Sequence, residues 1–294
     1  MPDDGLDYDS PAALQNFFKA LNISPRKFLG QNFLINGGVR EKIISLLNLQ
    51  KEDELWEIGP GLGAMTALAI DKVDHLCAFE IDYAYQQILE NFFGQYPAFQ
   101  LIRGDVLKTF PEHKTHKTIK ILGNLPYNIA SAVIQEFITQ PFEIAVLLVQ
   151  KELAHRMMAQ PREKNYSSFS VWCQCHFEMK THGIVRPNSF YPAPRVDSMI
   201  ISLRLKNTMT QQLTAMLNSL LRSAFAGRRK TLRNNFVRAQ EGRLRHISQD
   251  IFLQACAHAG IDLNKRAEEY EPHVYLNCAH YLLESSSSPG VSEV

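Results

Sequence analysis

The run Asn124-Leu125-Pro126-Tyr127, set behind Gly123 at the end of an apolar stretch, combines residue types that can make an unreactive amine react. The exocyclic amine of adenine is a poor nucleophile because its lone pair is delocalised into the ring. A carboxamide oxygen from Asn124 and a backbone carbonyl from Leu125 or Pro126, both accepting from the NH2 group, would pull the nitrogen toward pyramidal geometry and localise that pair. Pro126 stiffens the loop. Tyr127 can stack on the base and hold the amine in line with the bond to be broken, an alignment effect. Positive charge developing on nitrogen is met by oriented carbonyl dipoles. No strong general base is required, since the alkylated ammonium loses its proton readily. Read alone, the same residues also describe a plain strand-to-helix turn, so their meaning depends on what lies around them.

Two acids and a glycine turn surround them. Glu57-Ile58-Gly59-Pro60-Gly61-Leu62-Gly63 follows an apolar run and precedes a helical pattern; its glycines permit a tight turn and close approach of backbone amides to a ligand. Glu80, in Phe79-Glu80-Ile81-Asp82, closes the next strand about twenty residues on, where a carboxylate can accept both ribose hydroxyls of an adenosine. Asp105, in Arg103-Gly104-Asp105-Val106, ends the strand after that and can accept from a cofactor adenine amine. Loops at the carboxyl ends of adjacent strands converge on one crevice. The glycine turn and both acids suit NAD as well as S-adenosylmethionine. The Asn124 loop in the same crevice separates the two in favour of S-adenosylmethionine.

These residues need a scaffold of alternating strands and helices. Short apolar runs at 55–58, 75–80, 99–102, 118–122 and 144–149 alternate with helix-like segments at 64–70, 83–93 and 129–138. Such repetition builds βαβ units and a mostly parallel sheet with helices on both faces, an α/β fold. Two later β-like runs, roughly Cys175 to Val185 and Met199 to Leu205, flank Phe190-Tyr191-Pro192-Ala193-Pro194 and read as a hairpin-like return at one sheet edge. Beyond Lys206 the pattern is only helical. The organisation expected is an N-terminal extension (1–24), a cofactor-binding catalytic domain (25–206), a helical RNA-binding domain (207–284) and a disordered serine-rich tail (285–294). Within the extension one helix is expected near Leu14 to Leu21, and another helical pattern runs from Val39 to Leu47.

Composition limits the alternatives. A chain of 294 residues, 45% hydrophobic and 21% charged, has enough apolar content to bury a core and too much for a disordered chain. No apolar run approaches the roughly 20 residues that span a bilayer, and the acidic start has no signal-peptide layout, so a cytoplasmic protein without membrane association is expected. The cysteines Cys77, Cys173, Cys175, Cys256 and Cys278 lack a zinc-type spacing, so reduced, buried thiols and no metal are expected. The net charge of +1 hides an asymmetry. From Arg222 to Arg245 eight basic residues face the single acid Glu241, a local +7 that leaves −6 for the rest. Arg222, Arg228, Arg229, Lys230 and Arg233 are the phosphate-contacting candidates, opening a helix of the second domain.

Phe28 to Leu34, Glu57 to Gly63, Gly123 to Ser131 and Phe190 to Ser198, in that order, resemble the motifs of the ribosomal RNA adenine N6,N6-dimethyltransferase family, and the resemblance runs from about Arg26 into the helical domain. It implies a Rossmann-like class I methyltransferase domain, with a mostly parallel seven-stranded sheet, and a smaller C-terminal helical domain. It further implies that Asn32 and Leu34 line the cofactor pocket, that Gly59 contacts the cofactor, and that Asn124 touches cofactor and target. Phe190 would stack on the target adenine opposite Tyr127. Glu80 and Asp105 take the ribose and adenine roles, and a flipped-out base is expected. The closest likeness is to the small-subunit branch, which dimethylates two adjacent adenosines in a hairpin near the 3′ end of the rRNA. The partner expected is small-subunit rRNA within a pre-30S particle, bound by a monomer.

The chain departs from the family pattern in three places: Arg195 stands where Lys is usual, the N-terminal extension is long, and a tail follows Glu284. None of these is expected to touch the chemistry. The alternatives are a large-subunit rRNA adenine methyltransferase of the macrolide-resistance type, a non-catalytic RNA or transcription-factor relative and, more distantly, an NAD dehydrogenase.

Overall fold

The computed structural model describes residues 6–26, 29–206, 209–240, 244–245 and 247–287, without the side chains of 238–240 and 286–287. Phe28 of the first motif, Glu241 and Arg243 with the Arg238 side chain in the basic segment, and residues 288–294 of the tail lie outside the described residues. The chain divides into two compact units, one of residues 1–154 and 179–205, the other of 155–178 and 206–294.

In the first unit, helix α1 (Pro11–Ala20) and the short strand β1 (Phe33–Leu34) precede α2 (Gly37–Leu47). The alternation β2 (Glu54–Ile58), α3 (Thr66–Ala69), β3 (His75–Glu80), α4 (Tyr83–Phe93), β4 (Phe99–Arg103), α5 (Val106–Glu112), β5 (Ile119–Asn124), α6 (Ala130–Glu136) and β6 (Phe142–Gln150) follows. Helix α7 (Lys151–Met157) leads away, α8 (Ser168–His176) runs into β7 (Phe177–Val185), and β8 (Phe190–Tyr191) and β9 (Ser198–Leu205) close the unit. Seven strands form one sheet in the order β4-β3-β2-β5-β6-β9-β7. Neighbours among β2 to β6 are parallel, and β9 returns antiparallel to β6.

The sheet interior explains itself from the sequence. β2 is buried at all five positions and β6 at all but its second and last, as strands covered on both faces must be. Leu55, Leu76, Ala78, Leu122, Val146 and Leu148 turn to one face and pack on Ile43, Ile44 and Leu47 of α2. Trp56 and Phe79 turn to the other and meet Phe110 of α5, the two-residue alternation of a strand. Because β2 has β3 on one side and β5 on the other, the strand order reverses there, and the crevice beyond their carboxyl ends is where doubly wound sheets bind ligands.

Two local expectations shift, and one pairing is new. The return strand begins at Phe177 rather than Cys175, because Ser167 caps α8 with a reciprocal Ser170 bond and Cys175 and His176 complete that helix. The 64–70 segment contracts to the four residues of α3 and a 3-10 turn. Phe33-Leu34 and Phe190-Tyr191, far apart in sequence, pair as a separate two-stranded sheet.

The second unit is helical from 206 on: α9 (Gln211–Ala224), α10 (Leu232–Gln240), α11 (Gln249–His258) and α12 (Pro272–Ser287). It also takes 155–178, which the sequence pattern had kept with the first unit, since α8 packs on α9 and α12.

Candidate active site

The strand ends shape the site. After Ile58 the chain turns through Gly59, Gly61 and Gly63 with φ of +67°, +60° and +84°, values that only glycine adopts cheaply. A Cβ on Gly59 would meet nothing nearer than the Asn124 carbonyl at 3.9 Å, so it would stand in open cavity space, while one on Gly61 would press to 3.1 Å from the Phe33 ring. The turn therefore offers bare backbone to a ligand at one glycine and to the Phe33 ring at the other. Glu57, which opens the motif, is fully buried; it accepts from the Thr66 hydroxyl at 2.6 Å and leaves its second oxygen without a partner.

Glu80 closes β3 and is 5% exposed. One carboxylate oxygen accepts from the Asp82 amide at 2.8 Å and the other from the Gly61 amide at 3.2 Å, and each keeps acceptor capacity for a further donor. Burial pushes its carboxyl up to about 7, against the pull of the Asp82 and Gly61 amides and with the Asp82 charge adding to the rise. Burial likewise raises Glu57 to about 7 despite the Thr66 bond. Asp105 caps α5 by accepting from Leu107 N at 3.0 Å; the cap uses Oδ1 and leaves Oδ2 for another donor.

Asn124 ends β5. Its Nδ2 donates to the backbone oxygen of Asn32 at 2.9 Å, which leaves the acceptor Oδ1 outside that bond. Pro126 O already accepts from Ile129 N at 3.2 Å and Ala130 N at 3.0 Å. Leu125, the other carbonyl candidate, has its amide tied to Leu148 O at 3.0 Å; it is 1% exposed and, unlike Asn124 and Pro126, is not among the cleft-lining residues. Tyr127 is half-buried, with its hydroxyl 2.8 Å from Ser198 Oγ at the start of β9; burial raises its phenol, partly offset by that bond.

A single cleft of about 1000 Å³, solvent at its mouth included, gathers these loops. Asn32, Leu34, Gly59, Glu80, Asp105, Asn124 and Pro126 all line it. Tyr127 and Phe190 do not. Phe190, expected against the target base, is 3% exposed and lies in the core beside Leu34, its partner across the β1–β8 pair.

Sequence reasoning assigned no role to several residues that build this cleft. Gln31 donates to Asp82 at 2.9 Å and accepts from Tyr85 OH at 2.9 Å, which locks the 29–34 loop to the segment after Glu80. Gly30, at φ +67°, lets that loop approach Pro126, whose Cβ a side chain would meet at 3.3 Å. Gln31 and Ser198 both stand in the family-like motifs, but nothing in their types told which partners the fold would bring them. Tyr8 and Leu14 of the N-terminal extension also line the cleft, a place the sequence did not assign to the extension.

The basic candidates lie in the second unit. Arg222, Arg229 and Arg233 are exposed and Lys230 is half-exposed. Arg228 is also exposed but spoken for: it pairs with Glu268 at 3.4 Å and donates to the Lys164 carbonyl. Asn235 holds the segment's bend by donating to Ala224 O and Gly227 O at 2.7 and 3.2 Å.

Known proteins share this arrangement. The sequence profile described as "Ribosomal RNA adenine dimethylase" matches residues 22–283. "Ribosomal RNA small subunit methyltransferase A" of Borrelia garinii subsp. bavariensis is 45% identical over 234 residues, 79% of this chain and 82% of that protein. The protein of the same name from Treponema denticola is 36% identical over 277 residues, 92% and 94% of the two chains. Among solved structures, a dimethyladenosine transferase from Plasmodium falciparum superposes with a TM-score of 0.71 at 25% identity, over 83% of this chain and 94% of that one. The 23S rRNA methyltransferase ErmE, at 23% identity and a TM-score of 0.62 over 85% and 99%, shares the fold. The sheet is that of a Rossmann-like class I methyltransferase. With the match running through both units, the chain belongs to the ribosomal RNA adenine dimethylase family.

Proposed function

We propose that the chain transfers methyl groups from S-adenosylmethionine to the N6 amine of adenine in small-subunit rRNA, and dimethylates two adjacent adenosines in a hairpin near its 3′ end. The observation that carries this reading is the bond from Asn124 Nδ2 to Asn32 O, which commits the acceptor end of the carboxamide to an incoming amine within the cleft that also holds Glu80 and Asp105. The small-subunit choice is supported by the Borrelia and Treponema relatives, whose names specify that subunit.

The cleft suits the cofactor. The space beside Gly59 leaves room for a ligand against bare backbone, Glu80 has acceptor capacity for two ribose hydroxyls, and Asp105 Oδ2 can accept from an adenine amine. Asn32 and Leu34 close the same pocket from the N-terminal side. S-adenosylmethionine supplies an electrophilic methyl group there. Asn124 Oδ1 and Leu125 O accept the two N–H bonds of the target amine and localise its lone pair. Pro126 holds the loop rigid, and its carbonyl is used by α6. Tyr127, anchored by Ser198, provides the ring on which the base stacks. Phe190 serves from behind by keeping Leu34 in place. A neutral Asn124, able to accept without carrying charge, suits a second round, in which the monomethylated amine has a single N–H left for one of the two acceptors.

RNA is held by Arg222, Arg229, Lys230 and Arg233 through phosphates, with Arg228 contributing charge while bound to Glu268. A monomer acting in the cytoplasm on a pre-30S particle completes the reading. Purified small and large ribosomal subunits lacking the modification, incubated with the protein and methyl-labelled cofactor, test it. Label is expected in the small subunit alone; label confined to the large subunit would favour the macrolide-resistance type, and none in either a non-catalytic relative.

A further inference from the structure

Residues 6–20 precede the span that the family profile matches, which begins at residue 22, yet they are built into the cleft. Ser10 caps α1 by accepting from Ala13 N at 3.2 Å, and Pro11 opens the helix. Leu14 and Phe18, 1% and 4% exposed, pack on Leu62 of the glycine turn and on Tyr85 and Ile88 of α4. Phe18 also meets the Phe33 ring at 5.4 Å.

Polar tethers fix the segment ahead of the helix. Tyr8 OH donates to Leu62 O at 2.9 Å. Arg40, 6% exposed, joins three pieces: Nη2 donates to Asp9 at 3.0 Å, Nη1 donates to Leu34 O at 2.8 Å, and Cζ lies 5.9 Å from the centre of the Tyr8 ring. Gly37 makes the Asp9 approach possible, since a Cβ there would stand 3.1 Å from its carboxylate. The outcome is a strap across the glycine turn whose inner surface, Tyr8 and Leu14, is cleft wall. A ligand lying on Gly59 and Glu80 is thereby enclosed on a side that the family profile does not describe.

We infer that residues 8–18 form a cofactor-retaining strap, in which Tyr8 is a positioning residue that holds the wall against the glycine turn and slows release of bound S-adenosylmethionine. This rests on the reading that the cleft takes that cofactor. An exposed loop in this role would leave the cofactor open to solvent; a strap tied at Leu62 and through Arg40 must loosen before the cofactor departs.

The test uses the full chain with S-adenosylhomocysteine as probe. Calorimetry and stopped-flow displacement are applied to the wild type, Tyr8→Ala, Tyr8→Phe, Asp9→Ala and Glu80→Ala, with backbone hydrogen exchange of α1 measured in parallel. Tyr8→Ala is expected to raise Kd about tenfold, the effect of removing one well-packed wall residue, through faster release with association unchanged. Tyr8→Phe, which keeps the ring but loses the bond to Leu62 O, should show a smaller rise than Tyr8→Ala, again through faster release. The α1 amides should exchange more slowly when the probe is bound, and this protection should vanish in Glu80→Ala. Should Tyr8→Ala fail to fold, Asp9→Ala carries the same test, because it removes the acceptor of the Arg40 tether and leaves the apolar cluster intact. Unchanged release from folded Tyr8→Ala or Asp9→Ala, together with weak binding by Glu80→Ala, overturns the strap alone. Wild-type binding by Glu80→Ala, or no binding by the wild type, overturns the underlying cofactor site.

Discussion

At the scale of single residues, the chemistry turns on which atoms are already engaged. Asn124 spends its donor on Asn32 O and Pro126 spends its carbonyl on α6, and the proposed mechanism therefore gives the target amine to Asn124 Oδ1 and Leu125 O. Asn124→Ala removes one preorganised dipole and is expected to cut turnover about a hundredfold or more, with RNA affinity nearly unchanged in a filter-binding assay. Turnover at the wild-type level would reject the assignment. Glu80 adds a pH signature. Its carboxyl titrates near 7 in the cofactor-free protein, while accepting two hydroxyls favours the ionised form. Binding must therefore expel a proton below pH 7, and Kd should rise as pH falls through 7, approaching tenfold per unit for one proton. Calorimetry in buffers of different ionisation enthalpy reads the released proton directly, and Glu80→Gln should flatten the profile. The stability of the cofactor-free protein runs the other way. Glu57 and Glu80 are raised from 4.5 to about 7, so the folded state binds more protons than the unfolded one in that window. Their contribution to stability therefore grows as pH falls from 7 toward 4.5 and is lost as pH rises through 7.

At the scale of elements, the sequence was most informative where one strand dictates its own surroundings. The glycine turn, Glu80, Asp105 and the Asn124 loop could each be placed at a strand end from a local apolar run and the residue that breaks it. The β1–β8 pair could not, because Phe33-Leu34 and Phe190-Tyr191 are two-residue strands too short to show alternation and distant in the chain. Phe190 suffered from the same gap: an aromatic in a proline-rich motif looks available for a base, and only pairing with Leu34 shows that it is enclosed. Phe190→Ala is accordingly expected to destabilise the protein by about 3 to 5 kcal/mol, measured by denaturant unfolding. A fully stable variant that fails only in target binding would return Phe190 to the stacking role. The boundaries of α8 were hidden for a related reason. Its capping residues Ser167 and Ser170 signal a helix start, but the apolar residues after them continue into β7 without a break. Side-chain links across the chain, such as Gln31 to Asp82, leave no periodic trace at all.

At the scale of the whole molecule, the division of charge matters more than its sum. The segment from Arg222 to Arg245 carries +7 within a chain of net charge +1, which concentrates attraction for a polyanion in the helical unit. Arg229 and Arg233 are exposed, whereas Arg228 holds Glu268 and the Lys164 carbonyl. Replacing Arg229 and Arg233 by Ala should weaken binding to small-subunit rRNA and flatten the plot of log K against log salt by about 0.9 for each phosphate no longer neutralised, without lowering the melting temperature. An unchanged slope would remove these residues from the RNA surface. Arg228→Ala should behave differently and cost some stability as well, since it also breaks a tie between 164, 228 and 268 of the same unit.

Dimethylation of adjacent adenosines through Asn124, in a cleft loaded with S-adenosylmethionine, is legible in the product. Its most direct test is mass spectrometry of small-subunit rRNA from unmodified particles, after incubation with the protein and cofactor. N6,N6-dimethyladenosine at two adjacent positions of the 3′-terminal hairpin, absent with Asn124→Ala, is the result predicted. A product that stops at monomethyladenosine, or methylation that persists in Asn124→Ala, would reject this mechanism.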